Sequence, residues 1–112
     1  MENAKHDLIY LQHIADAVAK IEHYIKTVDY STFRSQGLLQ DGVIRQLEII
    51  GEASKKLSAA FKNKYNSLPW KDIAGMRDKL IHDYFGVDLK IVWKAATEDV
   101  PKLRLMILDI QT

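Results

Sequence analysis

The sequence predicts an all-α fold: a helical bundle built on two long antiparallel helices, followed by shorter helices. Three observations carry this. Apolar residues recur at three- and four-residue spacing along most of the chain. No run shows the two-residue alternation of a strand. The two prolines fall where the helical periodicity is interrupted rather than inside it.

The first long helix is expected over residues ~4–28, where Leu8, Leu11, Ile14, Val18, Ile21 and Ile25 form one stripe with polar residues opposite. His6, His13 and His23 lie on it at spacings of seven and ten. Helical metal ligands sit three or four apart, so these read as surface histidines and not as a chelating set. Asp29-Tyr30-Ser31 breaks the pattern, and Ser31 is a plausible cap for a short turn over Thr32–Gln36. The second long helix is expected over ~38–60, its core face drawn from Leu39, Val43, Leu47, Ile50, Ala53 and Leu57. Gly51 interrupts it at a cost of about 1 kcal/mol relative to Ala. Close approach of another helix would offset that cost, and Gly75 is the candidate for the facing position. Arg45, Glu48 and Glu52 share one side of this helix. They read as a solvated ladder with Lys55 and Lys56, the alternative being that Glu52 reaches Arg77 and holds its guanidinium.

Lys62–Leu68 is a polar connection, and Pro69 suits the first turn of the helix after it. That helix should run to about Asp83, with Ile73, Met76, Leu80 and Tyr84 as its buried stripe, Gly86 as its stop and Asp88 as the next N-cap. Leu89, Val92, Trp93 and Ala96 predict a further packing helix. Pro101 marks a boundary or kink near 97–100, and Leu103, Met106, Ile107 and Ile110 line a last helix.

At 112 residues the chain reads as one domain, residues 1–112, able to bury a core without metal or disulfide help. Sixteen basic against fifteen acidic residues give a net charge of +1, so any nucleic-acid contact is local, not a whole-surface field. The absence of cysteine removes disulfide and thiolate chemistry, and four scattered histidines make a zinc site improbable. No apolar run approaches the ~20 residues of a membrane span. The first residues lack the basic-then-apolar layout of a signal peptide, so a cytoplasmic location is expected.

The informative stretch is Gly75 to Gly86. Asp78 and His82 are four apart and can touch on a helix, whereas Arg77 and His82 are five apart, about 140° round the axis. These two converge only if the Arg side chain wraps back or if two copies of the helix meet in a dimer. Arg77, four residues, His82, one residue and Tyr84 match the Arg-x4-His-x-Tyr motif of HEPN-domain ribonucleases. In particular, the sequence resembles the HepT-like toxins of MNT–HEPN toxin–antitoxin systems over nearly its whole length. The segments Arg45–Ala53, Pro69–Arg77 and Gly86–Leu89 continue the likeness, with one departure: Asp78 stands where many of these nucleases have Asn.

The resemblance implies a HEPN-type bundle and a metal-independent endoribonuclease acting on RNA as a homodimer, with no cofactor. His82 suits the proton transfers, since an imidazole near pKa 6.5 both accepts and donates at neutral pH. Arg77 suits the phosphate, because its planar fork keeps its charge and donates several hydrogen bonds. Asp78 would support His82 by fixing its tautomer. The resemblance further implies that an MNT-type nucleotidyltransferase antitoxin attaches AMP to Tyr84, placing a phosphate where it competes for Arg77. The alternative reading is a non-catalytic HEPN module that binds a nucleotidyltransferase partner or a nucleotide.

Overall fold

The computed structural model describes the backbone of residues 2–82 and 86–111, and the side chains of residues 6–80 and 86–110. It is an all-α bundle of the HEPN type, and no strand occurs among the described residues. α1 (Glu2–Ile25) and α3 (Gly37–Lys56) are its two long helices. Gly42 at the start of α3 lies against the Tyr24 ring near the end of α1. Ser58, just past α3, bonds Asp7 near the start of α1. The pair is therefore antiparallel, as the periodicity predicts. Ile14, Ala17, Val18 and Ile21 of α1 bury against Val43, Leu47, Ile50 and Ala53 of α3 to form the centre of the core.

α2 (Tyr30–Ser35) is the expected short turn, but Asp29 and not Ser31 caps it. The Asp29 carboxylate accepts from the Thr32 amide at 2.8 Å, while Ser31 falls inside the first turn. This bond holds the Asp29 carboxyl below the usual carboxylate range. Phe33 is fully buried and stacks at 5.0 Å on Trp93.

α3 stops at Lys56, four residues short of the expected end. Leu57 turns extended, and Ser58 caps a new short helix, α4 (Ala59–Lys64), by accepting from the Phe61 amide. The buried Asp7 carboxylate accepts from the Ser58 amide at 2.7 Å and from its hydroxyl at 2.6 Å. A single serine thus ends one helix, starts the next and ties both to α1.

Pro69 stands immediately before α5 (Trp70–His82) and its carbonyl accepts from the Ile73 amide at 3.0 Å. Phe61, Tyr65 and Trp70 form an aromatic cluster beneath this turn, with the Trp70 indole N–H donating to the Tyr65 carbonyl. The stop expected at Gly86 depends on residues 83–85, which lie outside the described residues. Asp88 does cap α6 (Leu89–Lys94), accepting from the Lys90 amide at 2.9 Å.

The boundary or kink expected near 97–100 is present as a change of helical winding. α6 passes through a π-helical turn, Ala95–Asp99, directly into α7 (Val100–Gln111). The Val100 amide bonds the Ala95 carbonyl five residues back, and the extra residue relieves the clash that Pro101 would otherwise make with the preceding turn. Pro101 then sits in the first turn of α7, the position at which it is tolerated. Among the described residues no helix is long and apolar enough to cross a membrane.

Candidate functional site

The site begins at Gly51. Built on its backbone, a Cβ would run into the Arg77 Cβ, with the Arg77 Cγ at 2.8 Å and its Cα at 3.3 Å. The partner is therefore Arg77 and not Gly75, which has nothing within 4 Å of where its Cβ would be. The missing side chain on α3 is what lets α5 come close enough to lay Arg77 across it.

Once there, Arg77 is held at both ends of its fork. Its Nη2 lies 2.9 Å from Glu52 Oε2, and its Nη1 lies 3.1 Å from Asp78 Oδ1. Asp78 in turn pairs with Lys55 Nζ at 2.5 Å, and Glu52 lies 3.7 Å from Lys56. Lys55, with Arg77 second, holds the Asp78 carboxyl below the usual carboxylate range. The solvated ladder expected of Glu52 is thus overturned: Glu52 binds the motif arginine, because Gly51 brings α5 within its reach. Arg77 retains 26% side-chain exposure, while its Nε is buried without a hydrogen-bond partner among the described residues. Guanidinium donors preset in this way meet a phosphate without first surrendering rotamer freedom.

His82 is the last described residue of α5, and it follows Arg77 by five residues on one continuous helix. That puts the two about 140° apart round the axis and ~7.5 Å along it. The expected contact of Asp78 with His82 involves a side chain outside the described residues, and Tyr84 also lies outside them. Asp78 Oδ1 is engaged by Lys55 and Arg77.

Arg77 also forms part of the wall of a groove of about 240 Å³ between α1 and α3. Tyr10 and His13 of α1 line one side. Arg45, Glu48, Glu52 and Lys56 of α3 line the other. The periodicity groups Arg45, Glu48 and Glu52 on one face but gives no hint that α1 faces them with aromatic rings. Lys55, Lys56, Tyr10 and His13 are the residues that sequence reasoning did not connect to the site. Among the described residues no group of three or more His, Cys, Asp or Glu is placed to hold a metal ion.

An all-α bundle whose fifth helix bears Arg-x4-His is consistent with the HEPN class. The chain matches the ribonuclease HepT-like family over residues 14–110 and belongs to it. It is 46% identical to "Probable ribonuclease HepT" of Thermococcus cleftensis over 95 residues, 85% of this chain and 86% of that one. It is 41% identical to "Putative RNase TTE0752" of Caldanaerobacter subterraneus subsp. tengcongensis over 101 residues, covering 90% of each. Identity reaches 50% over 102 residues with "Gamma-glutamylcyclotransferase and putative RNase MJ0434" of Methanocaldococcus jannaschii. That match takes in 91% of this chain but spans less than half, 46%, of the longer relative. No solved structure matches significantly.

Proposed function

We propose that this chain is a metal-independent endoribonuclease that acts as a homodimer in the cytoplasm, the toxin of a toxin–antitoxin pair, with residues 1–112 working as one domain. The observation that carries the reading is the presetting of Arg77 by Glu52 and Asp78 on the helix that ends in His82. Relatives bearing ribonuclease names support the substrate class.

RNA supplies its own nucleophile. His82 accepts the proton of the 2′-OH, whose oxygen attacks the adjacent phosphorus. The bond from phosphorus to the 5′-oxygen breaks, and a second imidazole protonates the leaving oxygen. The products are a 2′,3′-cyclic phosphate and a free 5′-hydroxyl. Arg77 neutralises the crowded phosphate as charge builds on its oxygens. Because Arg77 and His82 diverge round the helix, two copies of α5 meeting in a dimer would surround one phosphate with both residue types twice over.

Regulation follows from the same chemistry. An MNT-type nucleotidyltransferase antitoxin would transfer AMP from ATP to the Tyr84 hydroxyl, releasing pyrophosphate. The added phosphate two residues beyond His82 would then compete with RNA for Arg77. The partner enzyme should neutralise the wild type and fail against Tyr84→Phe; equal neutralisation of both removes this step.

The test is RNA cleavage by folded variants. His82→Ala should lower the rate by ~10²–10⁴-fold, the usual worth of general acid–base catalysis. Arg77→Ala should lower it by about 10²–10³-fold, as for a lost charge-stabilising donor. Cleavage retained in both variants would leave the chain as a helical binding module.

A further inference from the structure

The groove beside Arg77 has a composition that the clamp does not explain. On α1, one turn apart, the Tyr10 and His13 rings meet edge to face with centroids 5.9 Å apart. Across from them, Lys56 Nζ stands 5.7 Å from the Tyr10 ring centroid. Arg45, on the same wall of α3, is exposed and makes no ion pair among the described residues, although Glu48 is one turn away. Lys56 is only loosely held, since Glu52 spends its closer contact on Arg77. The walls therefore bear two cations not tightly paired, two aromatic rings, the carboxylates of Glu48 and Glu52, of which Glu52 is engaged by Arg77, and at one side the motif arginine itself.

Rings that accept a stacked base, beside cations that follow a phosphate backbone, are the recurring elements of single-strand recognition. The volume narrows the ligand. About 240 Å³ is below the ~300–1,000 Å³ of sites for drug-sized molecules, so it suits one planar base with its sugar and phosphate left outside.

We propose that the α1–α3 groove is the subsite for the nucleotide next to the phosphate held by Arg77 in single-stranded RNA, with Tyr10 and His13 receiving its base and Arg45 its phosphate. This rests on the reading of Arg77 as the phosphate-binding residue. It makes Tyr10, His13 and Arg45 positioning residues that act on substrate placement rather than on proton transfer.

The probe is a fluorescently labelled, single-stranded oligoribonucleotide with 2′-O-methyl riboses, which offers no 2′-OH and cannot be cleaved by the proposed route. Binding is followed by anisotropy for the wild type and for Tyr10→Leu, Tyr10→Phe, His13→Ala and Arg45→Gln. Lys102→Gln on α7, remote from the groove, serves as control. His13 and Arg45 are exposed, so their variants keep the fold even if Tyr10→Leu does not. Tyr10→Leu should weaken binding by about 5–150-fold, the worth of one stacked base, and Tyr10→Phe should restore most of it. Arg45→Gln should weaken binding and lower the slope of log affinity against log salt by about 1. With cleavable RNA the same variants should raise KM and leave kcat near the wild-type value. Groove variants that bind like the wild type, or a Lys102→Gln control that weakens binding as much, would overturn the subsite. Cleavage by the wild type with KM unmoved in the variants would overturn it while sparing the ribonuclease. Binding that depends on Tyr10 and Arg45, without cleavage, would establish the subsite and remove the nuclease reading. A wild type that does not bind the probe would overturn the subsite outright.

Discussion

Gly51 and Gly75 look alike in sequence, each a glycine inside a helix, and the structure gives them opposite roles. At Gly51 an added methyl meets Arg77 atoms close to the α5 backbone, which cannot swing aside as a side-chain tip could. Gly51→Ala should therefore lower stability by the ~1–3 kcal/mol typical of overpacking, offset in part by better helix propensity, and should displace Arg77 and slow RNA cleavage. Gly75→Ala meets open space and should raise the melting temperature by a few degrees, having only the propensity gain of about 1 kcal/mol. Thermal melts of the two variants beside the wild type check the contrast, and a Gly51→Ala protein as stable and active as the wild type would contradict it. The motif spacing displays Arg77 and His82 openly in the sequence, and Gly51 advertises a close approach. What stays hidden is the partner, because which residue of α5 crosses Gly51 depends on the register between two helices and not on any local pattern. Glu52 was misread for the same reason.

The charge of Asp78 leads to a pH prediction at the same scale. Its pKa is lowered in the fold, first by Lys55 and then by Arg77, so its contribution to stability is present above the ordinary carboxylate range near ~4. That contribution is lost only as pH falls through the lowered value. The Asp78 carboxylate accordingly stays charged throughout pH 5–8, and any change in cleavage rate near pH ~6.5 belongs to an imidazole. A rate profile over this range should keep its limb in Asp78→Asn, at a lower plateau; disappearance of the limb would move the titration to Asp78.

Among the elements, the long helices and their antiparallel pairing were legible because twenty or so residues of unbroken periodicity leave little choice. Their ends were less so. α3 stops early because Ser58 is drawn to Asp7, fifty-one residues before it, and no window along the sequence joins the two. Pro101 marks the boundary near 97–100 in the sequence, but its form is not legible, because the π-helical turn that accommodates the proline has no distinct composition. Ser58→Ala tests the first point. It removes the cap of α4 and one bond to a buried carboxylate, and should cost about 1–2 kcal/mol, read as a fall of several degrees in melting temperature. An unchanged melt would mean that the residue-58 amide on Asp7 and the apolar contacts suffice to hold α1 and α4.

For the whole molecule the proposed dimer answers a geometric demand. A helix that carries Arg77 and His82 about 140° apart aims both at one phosphate if the Arg side chain wraps back or if a second copy shares the work. If one phosphate is served by both protomers, a mixed dimer of Arg77→Ala and His82→Ala brings one arginine and one histidine to it, where each pure variant lacks one of the two residue types. Refolded together, the two variants should cleave faster than either alone, though below the wild type. No recovery, with mixed dimers demonstrated by mass, would place each complete site within a single chain.

The most direct test of the account is cleavage of total cellular RNA by purified protein in the presence of EDTA, beside the His82→Ala variant. The protein mass must first show an unmodified chain, since AMP on Tyr84 would silence the enzyme by the proposed route. The account predicts fragments ending in a 2′,3′-cyclic phosphate, made by the wild type and not by the variant. Activity that vanishes with EDTA, or fragments that His82→Ala produces equally well, would contradict it.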